Sequence, residues 1–297
     1  MSCKRILSVL LVLFLAGNAL CAADSNFARE IERARAARVD ELVKPPGWLT
    51  LTDRVLLKPG THTIGRAADN DIVLSVGPAH FGTLTFENDR VTFSPASGAG
   101  VWVNSRPAPA VVELLAGDAQ RRPTLVSAGT VAFQLVETVR GKGIHVRDLA
   151  HPQLVDFPGL DYYAIDPAWR FEAAWETFPE PRTLTITNRA GDSFPERVTG
   201  QAVFRRGDET IALLPLENPD GSLLFVFSDS TSGDETYPMR FLETGPPRDG
   251  RLVLDFNLAE NPPCAFTPLA VCPLPPAQNR LKFPVRAGEK LFRSATH

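Results

Sequence analysis

Apolar positions along this chain change their spacing twice, and the two changes divide it. Phe27, Ile31, Ala34 and Leu42 recur at near-helical intervals within a stretch rich in Ala, Arg and Glu, which predicts one helix over 27–43. Asp24 or Ser25 stands where a cap belongs, and Pro45-Pro46-Gly47 stops the helix. From Trp48 the helical period is gone. Short alternating runs follow, separated by turn residues. Strands are predicted at Thr61–Gly65, Ile72–Leu74, Thr83–Phe86, Arg90–Phe93, Val101–Val103 and Thr130–Val139. Asn88-Asp89 is a hairpin signal and Asn104-Ser105 a second turn. Strands this short and evenly spaced predict a β-sandwich over 47–143, with 144–166 as connector.

A second run of strands is predicted over 167–297: Thr183–Thr187, Gln201–Arg205, Thr210–Leu214, Leu223–Ser228, Thr236–Leu242 and Leu252–Asn257. Pro167 to Trp175 reads as a short helix capped by Asp166. Glu217 to Gly221 and Pro247 to Gly250 are strong turns. The expected architecture is therefore mostly β. A helix at 24–46 and a sandwich precede a second antiparallel barrel or sandwich, whose irregular tail, 261–284, holds seven prolines and wraps the second module.

The first residues fit neither pattern. Lys4 and Arg5 precede the apolar run Ile6 to Ala16, and small residues follow to Ala23. This is the layout of a secretory signal over 1–23, and the run is too short to span a bilayer. Export to the periplasm or the medium is expected, with no transmembrane segment in the mature chain. Removing Lys4 and Arg5 takes the net charge from −3 to about −5, from 29 basic and 34 acidic residues. With no basic cluster, nucleic acid is not an expected partner. Cys3 and Cys21 leave with the signal, so Cys264 and Cys272 remain as an even pair for which an oxidising compartment favours a disulfide, with free structural thiols or a pair that binds metal or reacts as the alternatives. The spacing of the five histidines suggests no metal set and nothing calls for a cofactor.

Two resemblances add to this. Ile64-Gly65-Arg66, Asn70-Asp71-Ile72-Val73-Leu74 and Val103-Asn104 resemble the skeleton of a forkhead-associated domain, over about a third of the chain. The resemblance implies that Arg66 contacts phosphothreonine, but Pro78 and Phe81 fall where that family places serine and histidine. Arg66 is otherwise a turn residue pairing with Asp69 or Asp71. The stretches Phe225 to Gly233, Thr236-Tyr237, Arg240 to Leu242, Leu254 to Asn257, Asn261 to Phe266, Cys272 to Pro276, Asn279 to Leu281 and Ala287-Gly288-Glu289, with Gly47-Trp48-Leu49, resemble the bacterial and archaeal domain of unknown function 1684. That resemblance implies no activity.

The candidate site is the density of polar groups in strand-like surroundings: Asp229, Thr231, Ser232, Tyr237, Arg240, Asp255, Asn257, Asn261 and Asn279. Arg240 and Asp255 are expected to meet across strands. Either they form a pocket in which Arg240 anchors a small anionic ligand, or they are a structural pair while the asparagines fasten the tail. No Gly-x-Ser-x-Gly elbow, His-Glu-x-x-His helix or phosphate loop is present. The expectation is a non-catalytic ligand-binding or interaction protein of the cell envelope. The alternative is a small-molecule hydrolase or isomerase using Asp255 and Arg240, with Tyr237 assisting.

Overall fold

The computed structural model describes residues 25–118 and 120–293; the signal segment, Cys3 and Cys21 lie outside the described residues. Helix α1 spans 25–43. A 3-10 turn at Trp48–Thr50 leads into eleven strands: β1 (Leu51–Leu56), β2 (Gly60–Gly65), β3 (Ile72–Val73), β4 (Gly82–Glu87), β5 (Arg90–Pro95), β6 (Trp102–Val103), β7 (Arg106–Pro107), β8 (Val112–Leu114), β9 (Leu125–Ala128), β10 (Val131–Thr138) and β11 (Gly141–Asp148). They make two sheets, ordered β1-β11-β10-β9-β6-β7 and β3-β2-β4-β5-β8. All the pairings are antiparallel except β2 with β3. The inward residues of both sheets form one core. At its centre Phe81, Phe93 and Phe133 meet edge to face, with ring centroids 5.2 to 6.1 Å apart.

The predicted turns form as read. Asn88 and Asp89 take φ of +50° and +62°, and Asn104 and Ser105 +48° and +64°, the left-handed pair that a two-residue hairpin demands. The chain departs from expectation just after β10. Gly141-Lys142-Gly143, expected as the end of the sandwich, opens β11, and Ile144 to Asp148 continue it where a connector was expected. β11 lies between β1 and β10, so these residues are central to their sheet.

Helix α2 (Pro152–Val155) and a 3-10 turn at Pro167–Trp169 lead to the second β region. Asp166 caps that turn through Ala168 N, as expected, but the helix predicted to Trp175 stops at Trp169. There β12 (Arg170–Thr187) begins and pairs with β13 (Ser193–Arg206) in a long hairpin. Pro179 and Pro181 fall inside β12, where the register shifts between Thr177 and Arg182, the kind of irregularity that accommodates residues without an N–H. Then come β14 (Glu209–Leu213), β15 (Leu216–Glu217), β16 (Leu223–Phe227), β17 (Arg240–Thr244) and β18 (Arg251–Asp255). They form a sheet ordered β14-β13-β12-β18 and a second ordered β15-β16-β17. Phe204, Phe225, Phe227, Leu254 and Phe256 fill the core between them, and Leu281, Val285 and Ala287 of the irregular tail close it.

Candidate functional site

Arg240 opens β17 and has no exposure. Its Nη2 donates to Asp229 Oδ2 and to the Val285 carbonyl, both at 2.7 Å, and Nη1 donates to the Ala287 carbonyl. The guanidinium lies 5.1 Å from the centre of the Phe227 ring, and Nε has no hydrogen-bond partner. Burial pulls the Arg240 pKa below its ordinary value, against the opposing pull of Asp229. Asp229 Oδ1 accepts from Thr231 N (2.8 Å), Thr231 Oγ1 (2.6 Å) and Val285 N (3.2 Å). Thr231 Oγ1 lies 2.9 Å from Thr236 Oγ1, and Asp229 N donates to Ser232 Oγ at 3.0 Å. This network ties the loop after β16, the start of β17 and the segment 285–287 into one body.

The expected Arg240–Asp255 pair does not form. Asp255 ends β18, and β18 pairs with β12, whereas β17 pairs with β16 in the other sheet. The register sets Asp255 opposite Arg170, whose Nη1 donates to Oδ2 at 2.9 Å. Asp255 Oδ1 accepts from Asn257 N (3.1 Å) and Nδ2 (2.9 Å) and so caps the 3-10 turn Phe256–Leu258. The two aspartates each serve a different arginine. With Arg240 enclosed and its Nη atoms engaged, its expected role as an anion anchor is not supported by the geometry.

The asparagines act as backbone partners. Asn279 accepts from Leu214 N at 2.9 Å and donates to the carbonyls of Leu214 and Val226, pinning the tail to the strands. Asn257 accepts from Asp166 N and donates to Asp166 O, at 3.0 and 2.9 Å. Asn261 donates through Nδ2 to Lys290 O at 2.8 Å, and its buried Oδ1 has no partner. Tyr237 donates to the Cys264 carbonyl at 2.8 Å and accepts from Arg189. The nine predicted residues thus divide among five places instead of lining one pocket. Arg66 pairs with neither Asp69 nor Asp71; its Nε donates to the Gly77 carbonyl at 3.3 Å, while Asp71 accepts from Thr63. The expected disulfide is also absent: Cys264 and Cys272 are two buried thiols, with Cys264 N donating to Cys272 Sγ at 3.2 Å.

A different set of charged groups converges on a cavity of about 330 Å³ between α1 and the second β region. From the helix come Arg35, Arg38 and Glu41; from the β region come Tyr162, Glu243, Glu260 and Glu289. Arg35 and Arg38 stand one turn apart on α1, so both reach the same way. Glu260 is placed by Phe241 of β17, which exchanges both backbone bonds with it at 2.9 Å. Glu289 is placed by Gly288, at φ +76°, where a Cβ would sit 2.3 Å from the Ala259 carbonyl. Only glycine fits there, and it brings Glu289 N within 2.8 Å of that carbonyl.

Arg38 Nε lies 3.0 Å from Glu260 Oε2 and 3.4 Å from Glu289 Oε1, and Nη2 donates to Asn261 O at 3.1 Å. Arg35 donates to the carbonyls of Tyr163 and Asn257 and lies 4.4 Å over the Tyr162 ring. Arg35 Nε and the Tyr162 hydroxyl are buried without partners. Burial pushes the Glu260 carboxyl up to about 7, with the Glu289 charge adding and Arg38 opposing. Burial likewise raises Glu289 and Tyr162 and lowers Arg35. Among the described residues no group of three His, Cys, Asp or Glu side chains is placed to hold a metal ion. Sequence reasoning missed this set. Its signals were Asn257, a predicted site residue that lines the cavity, and Glu289, quoted within a family stretch but not counted as a site residue.

Residues 155–290 match the family described as protein of unknown function (DUF1684). This part of the chain belongs to DUF1684. The DUF1684 segment supplies Tyr162, Glu243, Glu260 and Glu289, while Arg35, Arg38 and Glu41 come from outside the match. A solution NMR structure of an uncharacterized protein of Haloarcula marismortui is 31% identical, over 48% of this chain and 80% of that one, with a TM-score of 0.40. No curated protein matches the chain.

Proposed function

We propose that this is an exported binding protein that takes a small cationic molecule, such as an amine, into the cavity between α1 and the DUF1684 segment, and does no chemistry on it. The carrying observation is the charge of that cavity: four carboxylates, Glu41, Glu243, Glu260 and Glu289, against the two guanidinia of Arg35 and Arg38. A cationic nitrogen would favour the ionised form of Glu260, and the unpartnered Tyr162 hydroxyl offers a further hydrogen bond. The hydrolase alternative finds less support, because Arg240 and Asp255 belong to different sheets and Tyr237 is engaged with Cys264 and Arg189.

The test is the melting temperature of the protein against a panel of amines, sugars and carboxylic acids, for the parent and for Glu260→Gln and Tyr162→Phe. A ligand of the native state raises the melting point by mass action. The expected result is a shift by amines alone, larger at pH 8 than at pH 6 because Glu260 must lose its proton, and lost in Glu260→Gln. A shift by acids or sugars instead, or an amine shift that Glu260→Gln leaves unchanged, overturns the proposal. Export is tested by fusing residues 1–23 to a reporter that matures only outside the cytoplasm.

The sandwich β1–β11 we read as a forkhead-associated-like framework that does not bind phosphate. Arg66 Nε is engaged with the Gly77 carbonyl and the Ser75 hydroxyl with Asp53, so two of the donors a phosphate would draw on are already occupied.

A further inference from the structure

The two thiols lie apart from both the Arg240 network and the acidic cavity. Cys264 sits in the 3-10 turn Pro263–Ala265, and Cys272 lies eight residues on. Cys264 N donates to Cys272 Sγ at 3.2 Å, which sets the Cys272 thiol against the Cys264 backbone. Both are held in a fixed frame. Tyr237 donates to the Cys264 carbonyl, and Arg189 N donates to the Cys272 carbonyl at 3.0 Å. The pair is not symmetric. Cys264 lines a cavity of about 900 Å³ that Cys272 does not line. That cavity carries two arginines, Arg189 and Arg293, with Phe266 and Phe292, and no carboxylate.

We propose that Cys264 and Cys272 are a redox-active dithiol that reduces a small anionic disulfide bound in this cavity, with Cys264 attacking and Cys272 resolving. The Cys264 thiolate attacks one sulfur of the substrate, forming a mixed disulfide and expelling the other half as a thiolate. Cys272 then attacks the Cys264 sulfur; the Cys264–Cys272 bond forms, the second half leaves, and the Cys272 proton goes to it. Two electrons pass from the dithiol to the substrate, which ends as two thiols. Excess small thiol drives the same two exchanges backwards. The thiolate is the attacking species, and the surroundings supply it. The neighbouring Cys272 lowers the Cys264 thiol to about 6, and Arg189 and Tyr237 act in the same direction against burial. Cys272 is pushed up by Cys264 and by burial, so it stays a thiol until its turn. The proposal does not depend on the acidic cavity.

The experiment uses the full chain carrying Cys3→Ser and Cys21→Ser, reduced and freed of reductant, then mixed with glutathione disulfide or with the neutral 2-hydroxyethyl disulfide. The expected product is the Cys264–Cys272 bond, found by peptide mass as a loss of two hydrogens, with two small thiols released. Cys272→Ser should accumulate the mixed disulfide at Cys264, and Cys264→Ser should form none. Arg293→Ala should slow the reaction with glutathione disulfide about tenfold and change the neutral reagent little, as expected for steering by charge. Three outcomes overturn the proposal: thiols that react only after unfolding, trapping at Cys272 in place of Cys264, or a bond that excess dithiothreitol cannot reopen in the native protein.

Discussion

At Arg240 a guanidinium with no exposure faces an aromatic ring and depends on Asp229 and two carbonyls for its hydrogen bonds. Such a charge is tolerated only while its partners remain. Arg240→Met or Asp229→Asn should each cost about 3–5 kcal/mol, read from urea unfolding, and the double variant should cost less than the sum. Two other residues make opposite contributions to pH dependence. Glu260 is raised from 4.5 to about 7, so between those values the folded chain holds a proton that the unfolded chain has lost. Its contribution is full below 4.5 and is lost as pH rises through 7. His145, packed edge-on to Trp48 between Arg54 and Arg147, is lowered from 6.5 to about 4 by burial and by those charges. Its contribution is full above 6.5 and is lost as pH falls through 4. The two partly cancel in the parent. Melting curves from pH 4 to 8 should therefore show Glu260→Gln losing less stability on the alkaline side and His145→Gln losing less on the acid side.

The irregular tail behaves as an element because side chains supply what strand pairing does not. Asn279 serves the N–H and the carbonyl of Leu214 together, as an added strand would. Asn279→Ala leaves both buried groups without that partner, at about 1–3 kcal/mol each, and should lower the urea midpoint with little change in slope. Proline was the main obstacle to reading elements here. Pro179 and Pro181 broke the apparent strand, so β12 was expected to begin at Thr183, although it starts at Arg170 and passes them through a shift of register. The chain turns at Val139-Arg140, but Gly141 and Gly143 just after it look like turn residues in the sequence, so the start of β11 is hidden there.

At the scale of the whole molecule, α1 is held by the far end of the chain. Its arginines bind the backbone of Tyr163, Asn257 and Asn261, and Arg38 is the partner of buried Glu289. Arg38→Ala should release the helix. Limited proteolysis should then cut faster near 44–47, and the melting shift given by an amine should vanish. The sandwich meets the second β region through its own contacts, among them Arg140 with Asp192 at 2.6 Å and with the Ala190 carbonyl at 3.3 Å.

Local features were legible from residues alone, because they obey local rules. Asn88-Asp89 and Asn104-Ser105 had to be left-handed turns, the alternating runs had to be strands, and the density of Asp, Thr, Arg and Asn after β16 had to be a network. Partners were not legible, because strand order decides them. Arg240 and Asp255 stand fifteen positions apart in strands that look adjacent, yet they belong to different sheets, so each found another partner. The charged groups of the acidic cavity were not assembled by sequence reasoning. Arg35 and Arg38 are ordinary helix residues, and Glu260 and Glu289 are ordinary loop residues, until folding brings positions more than two hundred apart around one cavity. Burial, which exists only in the folded chain, then raises their carboxyls.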